Sequence, residues 1–326
     1  MAINFSGVNA WVDETTEAAD FYVEAVMGNG VVPWLRETGD LLTGVKANSI
    51  KLPLLTADVT MQDGDNCAFN DSGSTTISQA TLNMKNLKFQ STLCARTMED
   101  YFTAVLLPPG QKYTGLGRAE AAMMNEIMKS IQKKLGYGYW RETTLFDGWL
   151  EQIYAATGIN TGAGTTPTAG GSAGTDAAGV FNIVQTLVAT FLGDEDLADE
   201  IYNGNVSIVM SPQDVNFYFQ NYRTLFGDNP FATQQLNNLA GGALSFVHDG
   251  TNVRIYAQPA LTGSGTIIMS RKGNFTLGFD LESDNTGLRV GLDQYEENIW
   301  YTLRTKIGTG FHALNANNLR YWGPAS

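Results

Sequence analysis

Cysteine and histidine are nearly missing from this sequence: two of each, Cys67, Cys94, His248 and His312, in 326 residues. Two cysteines that far apart fit no zinc or disulfide framework, and they suit a reducing compartment better than an exported scaffold. Basic residues are also short, 20 against 33 acidic, for a formal net charge of −13. A chain that grips a phosphate backbone carries a basic stripe, so a DNA-reading role is disfavoured. No basic segment followed by an apolar run opens the sequence, so no signal peptide is expected. Nor is there an apolar run of about 18 residues, the length a membrane-spanning helix needs. The expectation is a soluble protein made in the cytoplasm.

What is present is a core-forming composition. Apolar residues make up 43% of the chain and charged residues only 16%, below the usual figure of about a quarter. Disorder over most of the length is thereby excluded. The 35 glycines imply many turns and long loops. The charge is unevenly spread. From Glu142 to Tyr222 there are ten acidic residues, Glu142 to Asp214, and no Lys or Arg.

Catalytic constellations are lacking. Each histidine stands beside turn residues with no carboxylate or cysteine at a useful spacing. Gly115-Leu116-Gly117 is followed by Glu120 where a dinucleotide loop needs glycine, and Gly162-Ala163-Gly164 lacks the Gly-Lys-Ser/Thr of a phosphate loop. Asp280 to Asn285 resembles the start of a calcium loop, but its sixth position is Asn285 and its twelfth Gly291. The acidic run 194–200 reads as a solvated face. No enzyme, cofactor or metal is expected.

The order of elements is more informative. Asp13 to Glu17 can open a helix whose face is Phe21, Tyr22, Ala25 and Val26, stopped by Gly28-Asn29-Gly30. Residues 45–95 hold two long extended segments. One starts at Ser49 and runs to Met61. The other runs from Thr75 to Leu87 with alternating apolar and polar positions. A tip of turn formers, Asp63 to Ser74, joins them into a hairpin. Such a hairpin is marginal alone in water and must rest on something. Thr97 caps a short helix through Phe102. The strongest helical pattern follows: Met124, Ile127, Met128, Ile131 and Leu135 share one face between Arg118 and a stop at Gly136. A turn and helix at 145–150 lead to a Gly/Thr/Ala run, 157–174, read as a mobile loop. A helix at 177–192, a strand at 206–210 apolar on both faces, an aromatic helix at 213–226 and strands at 253–256, 266–269, 274–279 and 300–304 complete the chain. This is an α+β pattern.

That order, arm, long hairpin, long helix, α/β region and returning strands, resembles the major capsid proteins of tailed bacteriophages, the Hong Kong 97-type shell fold. Asn83-Met84-Lys85-Asn86-Leu87-Lys88-Phe89-Gln90 leading into Thr97-Met98-Glu99-Asp100-Tyr101 resembles the hairpin's return into the first P-domain helix. Thr143 to Leu150 resembles the entry to the A-domain. Gln258-Pro259-Ala260 before strands bearing Arg271-Lys272 resembles the late family pattern.

The resemblance implies an N-terminal arm at 1–44, an E-loop hairpin at 45–96 and a P-domain with spine helix at 97–145. It implies an A-domain at 146–256, with its remainder and returning P-domain strands at 257–326. It implies a structural coat subunit that assembles as hexamers and pentamers into an icosahedral virion shell around double-stranded DNA. Portal and scaffolding or decoration proteins would be partners. The chain offers only a short segment before the hairpin, so scaffolding would be separate or unneeded. Leu52, Leu54, Ile77 and Leu82 are the expected inter-subunit residues of the hairpin. Arg118, Lys129, Lys133, Lys134 and Arg141 are the expected lumen-facing basic group. The acidic segment would lie on the outer surface; the alternative is that Asp194-Glu195-Asp196 lines the capsomer axis and holds cations. A cellular nanocompartment shell of the encapsulin type and a β-rich glycan-binding surface protein are the alternatives.

Overall fold

The computed structural model describes residues 30–59, 73–94, 117–162, 166–168, 178–227, 237–238, 244–280, 288–293 and 298–323. The helices expected at 13–27 and 97–102, residues 63–72 of the hairpin tip, Cys67 and residues 281–285 of the calcium-like stretch lie outside these residues.

Five strands form the first sheet: β1 (Asp40–Thr43), β4 (Lys85–Cys94), β10 (Phe275–Phe279), β11 (Leu288–Asp293) and β12 (Asn298–Phe311). The long β12 organises it, pairing antiparallel with β4, β10 and β11, while β1 runs parallel to β10. The second sheet has six strands, in the order β13 (Leu319–Trp322), β9 (Ile267–Arg271), β5 (Val206–Met210), β8 (Arg254–Ala257), β7 (Leu244–Val247) and β6 (Asn237–Asn238). The hairpin of β2 (Ser49–Val59) and β3 (Gly73–Asn83) is a two-stranded sheet of its own. The second extended segment is therefore two strands. The chain changes partner at Met84, leaving β2 and joining β12.

Two apolar cores meet at the second sheet. Val209, Tyr256, Ile268 and Tyr321 point into the first core, and Ile208, Met210, Ile255, Ile267 and Met269 into the second. Because β5 is covered on both faces, all five of its residues are buried, which is why it reads as largely apolar on both faces, Ser207 excepted.

The first core is built on tryptophan. Helix α1 (Val31–Thr38) contributes Trp34, α2 (Gly117–Arg141) contributes Trp140 and α3 (Trp149–Ala155) contributes Trp149, all fully buried. Trp140 and Trp149 lie 5.0 Å apart edge to face, and Trp34 packs 5.1 Å from Phe275. Gly136 does not stop α2, contrary to expectation; the helix runs on to Arg141. Two glycines there cost about 1 kcal/mol each. Burying Tyr139 and Trp140 on the next turn returns several times that.

The second core lies under α4 (Val180–Leu192), α5 (Glu195–Tyr202) and α6 (Pro212–Phe226). Ser211 caps α6: its Oγ accepts from the Asp214 N–H at 3.1 Å, and the Asp214 carboxylate accepts from the Ser211 N–H at 3.3 Å. The Gly/Thr/Ala run is not wholly a loop. Ile159 is fully buried and Asn160 bridges to Tyr321 at the edge of the second sheet.

Candidate functional site

The hairpin is the feature that leaves the body of the molecule, and its root is unusually close to the first sheet. In β10 and β12, Phe275, Leu277, Phe279, Ile307 and Phe311 face the first core. The opposite face carries Gly278, paired with Gly308, and Gly310, two residues further along β12. Leu82, Asn83 and Met84 cross this glycine patch. A Cβ on Gly308 would overlap the Asn83 carbonyl, and one on Gly278 would lie 2.8 Å from Met84 Sδ. Leu82 and Met84, with Val45 and Leu52, form a third small core there. The Met84 N–H donates to the Asn48 carbonyl at 2.9 Å. Lys306 Nζ donates to the Lys46 carbonyl at 2.5 Å and to Asn48 Oδ1 at 2.8 Å.

The expected hairpin contacts therefore divide. Leu82 is fully buried and Leu52 is 4% exposed, both against their own chain, so their assignment to an inter-subunit surface is corrected. Leu54 is half-buried. Ile77 is 70% exposed, directly across from Leu55 at 65%. Leu55 was missed by sequence reasoning, although the register makes it Ile77's partner on the outward face. Beside the root lies a polar cleft of about 800 Å³, walled by Asn48, Thr81, Asn83 and Lys85 on the hairpin side and Thr144 and Asp147 on the body.

The basic residues also divide. Lys129, Lys133 and Lys134 are exposed on α2, with Lys129 3.9 Å from Glu126. Arg141 is not part of that exposed group: it is half-buried and donates to the Thr262 carbonyl at 2.5 Å. The side chain of Arg118 lies outside the described residues.

Several residues of the acidic segment have internal partners. Glu142 accepts from the N–H groups of Thr144 and Leu145, Asp214 caps α6, and Glu200 pairs with Arg271 and accepts from Asn205. Glu37 holds α1 to β8: Arg254 lies 3.6 Å away and the Tyr256 hydroxyl donates to it at 3.0 Å. Burial, with Glu37 beside it, raises the Tyr256 pKa above its ordinary value.

Both histidines are in structural settings. His248 is buried between α4 and α6, its Nδ1 2.7 Å from the Tyr218 hydroxyl and its Nε2 3.1 Å from the Gln185 amide. Burial pushes its pKa down to about 4, against a smaller upward pull from Asp249. His312 lies 3.3 Å from Asp40, a partner 272 positions away that no local spacing signals. Among the described residues no three His, Cys, Asp or Glu side chains are grouped to hold a metal ion.

No protein-family model matches the chain, and no curated protein does. Solved structures do match it. One is the satellite phage P4 procapsid including size determination (Sid) protein. It is 11% identical over 99% of this chain and 92% of that one, with a TM-score of 0.56. The capsid of the native GTA particle is 14% identical over 90% of each chain, with a TM-score of 0.52. Gordonia phage Cozz is 12% identical over 91% of this chain and 87% of that one, also at 0.52. At such identities the likeness is one of fold, and it spans nearly the whole length of each chain. The chain thus has the α+β, Hong Kong 97-like fold of tailed-phage major capsid proteins.

Proposed function

We propose that this protein is a major capsid protein, a non-catalytic coat subunit that assembles as hexamers and pentamers into an icosahedral virion shell around double-stranded DNA. The carrying observation is the near-complete coverage by capsid folds, with a hairpin whose outward apolar pair, Leu55 and Ile77, is left to water. The five segments drawn from the sequence serve as arm, E-loop, P-domain, A-domain and returning strands. The second sheet with α4 to α6 supports the A-domain assignment, though β9 and β13 come to it from the last segment. Function is passive. Each contact is modest, and the many contacts per subunit make loss of one subunit slow. Lys129, Lys133 and Lys134 face the lumen and touch packaged DNA without reading sequence. Portal and scaffolding proteins are further partners, and assembly takes place in the host cytoplasm.

The expressed chain should give megadalton particles in light scattering and negative-stain images. Leu55→Asp with Ile77→Asp should keep the wild-type circular dichroism and melting but give no closed particles. A wild-type chain that stays monomeric under all assembly conditions would refute the proposal, and normal particles from the double variant would remove the hairpin from it.

A further inference from the structure

The face of the first sheet opposite the core carries three glycines where the hairpin root crosses it. Glycine inside a strand weakens it, and three together mark a site where another backbone comes close. Here that backbone is the chain's own, at the residue where it changes sheets. The three positions differ in what a methyl group would meet. At Gly310 it would lie 2.9 Å from Leu82 Cδ1, and at Gly278 2.8 Å from Met84 Sδ and 2.9 Å from Leu82 Cδ2. Those are side-chain atoms, but Leu82 and Met84 are buried in the third core, so they give way only by pushing on the root. At Gly308 it would overlap the Asn83 carbonyl oxygen, which moves only if the strand moves. Lys306 pins the opposite side of the root through Lys46 and Asn48. The root is thereby held on both strands while the distal part of β3, from Gly73 to Gln79, is exposed throughout.

We propose that Gly278, Gly308 and Gly310 form a seat that fixes the angle at which the hairpin leaves the body, and so the curvature at which subunits join. The consequence for curvature rests on the shell reading above; the seat itself does not. A lever 11 residues long, as β2 and β3 each are, spans roughly 35 Å at about 3.3 Å per residue. A small tilt at the root displaces Leu55 and Ile77 by ångströms, enough to miss a packed neighbour.

The seat is tested first in the unassembled subunit, by the distance between spin labels at I77C and Y202C in a chain carrying C67S and C94S. Gly308→Ala should shift this distance. Adding Met84→Ala should not restore it, because the obstacle is a backbone oxygen. Gly278→Ala should also shift it, and there Met84→Ala should lessen the shift, with Leu82 Cδ2 still 2.9 Å away. An unchanged distance in Gly308→Ala overturns the seat. Should that variant fail to fold, Gly278→Ala decides: an unchanged distance there overturns it equally. The consequence is read in particles. Gly308→Ala should give open sheets or altered diameters, and closed particles of wild-type diameter would overturn the link to curvature. A wild-type chain that forms no particles while the label distances shift as stated defeats the shell reading and leaves the seat standing.

Discussion

His248 is a neutral ring by construction. Its folded-state pKa, about 4, lies below the ordinary 6.5, so the unfolded chain takes up the proton first as pH falls. The stability it contributes is complete above pH 6.5 and is lost progressively between 6.5 and 4, by about 3 kcal/mol in all. Melting measured from pH 7.5 to 4 should fall more steeply for the wild type than for His248→Gln; parallel curves would show that the imidazole is not the cause. Two other residues carry identifiable energies. Ser211→Ala removes the α6 cap and should cost about 1 kcal/mol. Trp34→Ala opens a cavity among Trp140, Trp149 and Phe275 and should cost about 3–5 kcal/mol. Urea midpoints check both, and a Trp34→Ala loss under about 1 kcal/mol would mean the cluster repacks freely.

At the scale of elements, the hairpin is two things in one ribbon. Its root is core, through Leu52, Leu82 and Met84, and its outer half is surface. Amide exchange should divide it accordingly, with Ile50 to Leu52 and Ala80 to Leu82 protected and residues 73–78 fast. Leu82→Ala should remove about 2–4 kcal/mol of that protection while leaving amides of β5 unchanged. Uniform exchange along both strands would contradict a docked root. Helix α2 makes the complementary point. Its exposed face carries the lysines and its buried end carries Tyr139 and Trp140, so one element presents a surface and anchors the core.

At the scale of the whole molecule the question is where the charge goes. Ten acidic residues meet no Lys or Arg along 142–222, yet Glu142, Glu200 and Asp214 are matched inside the fold. In the proposed shell, the other carboxylates would be screened from neighbouring copies over about 8 Å at physiological salt. Placed on the outer surface they keep particles soluble without drawing DNA outward. Chelator at fixed ionic strength should then leave particle melting unchanged. A drop that calcium or magnesium restores would place cations in the ring instead.

The sequence by itself determined the elements whose signal is local: the α2 face, α4, the doubly apolar β5, the two arms of the hairpin, and the order that resembles a phage shell. Periods of 2 and 3.6 are written in neighbouring residues, so they survive without knowledge of the fold. Tertiary structure alone decided the rest. Gly136 reads as a stop until Tyr139 and Trp140 have a core to enter. Leu52 and Leu82 read as an outward contact surface until three glycines, nearly 200 residues and more downstream, let the root settle on the sheet. A Gly-Thr-Gly step inside a strand, at 308–310, was the legible hint of a close approach. What approached could not be read, because a missing side chain states that space is needed and not which segment fills it.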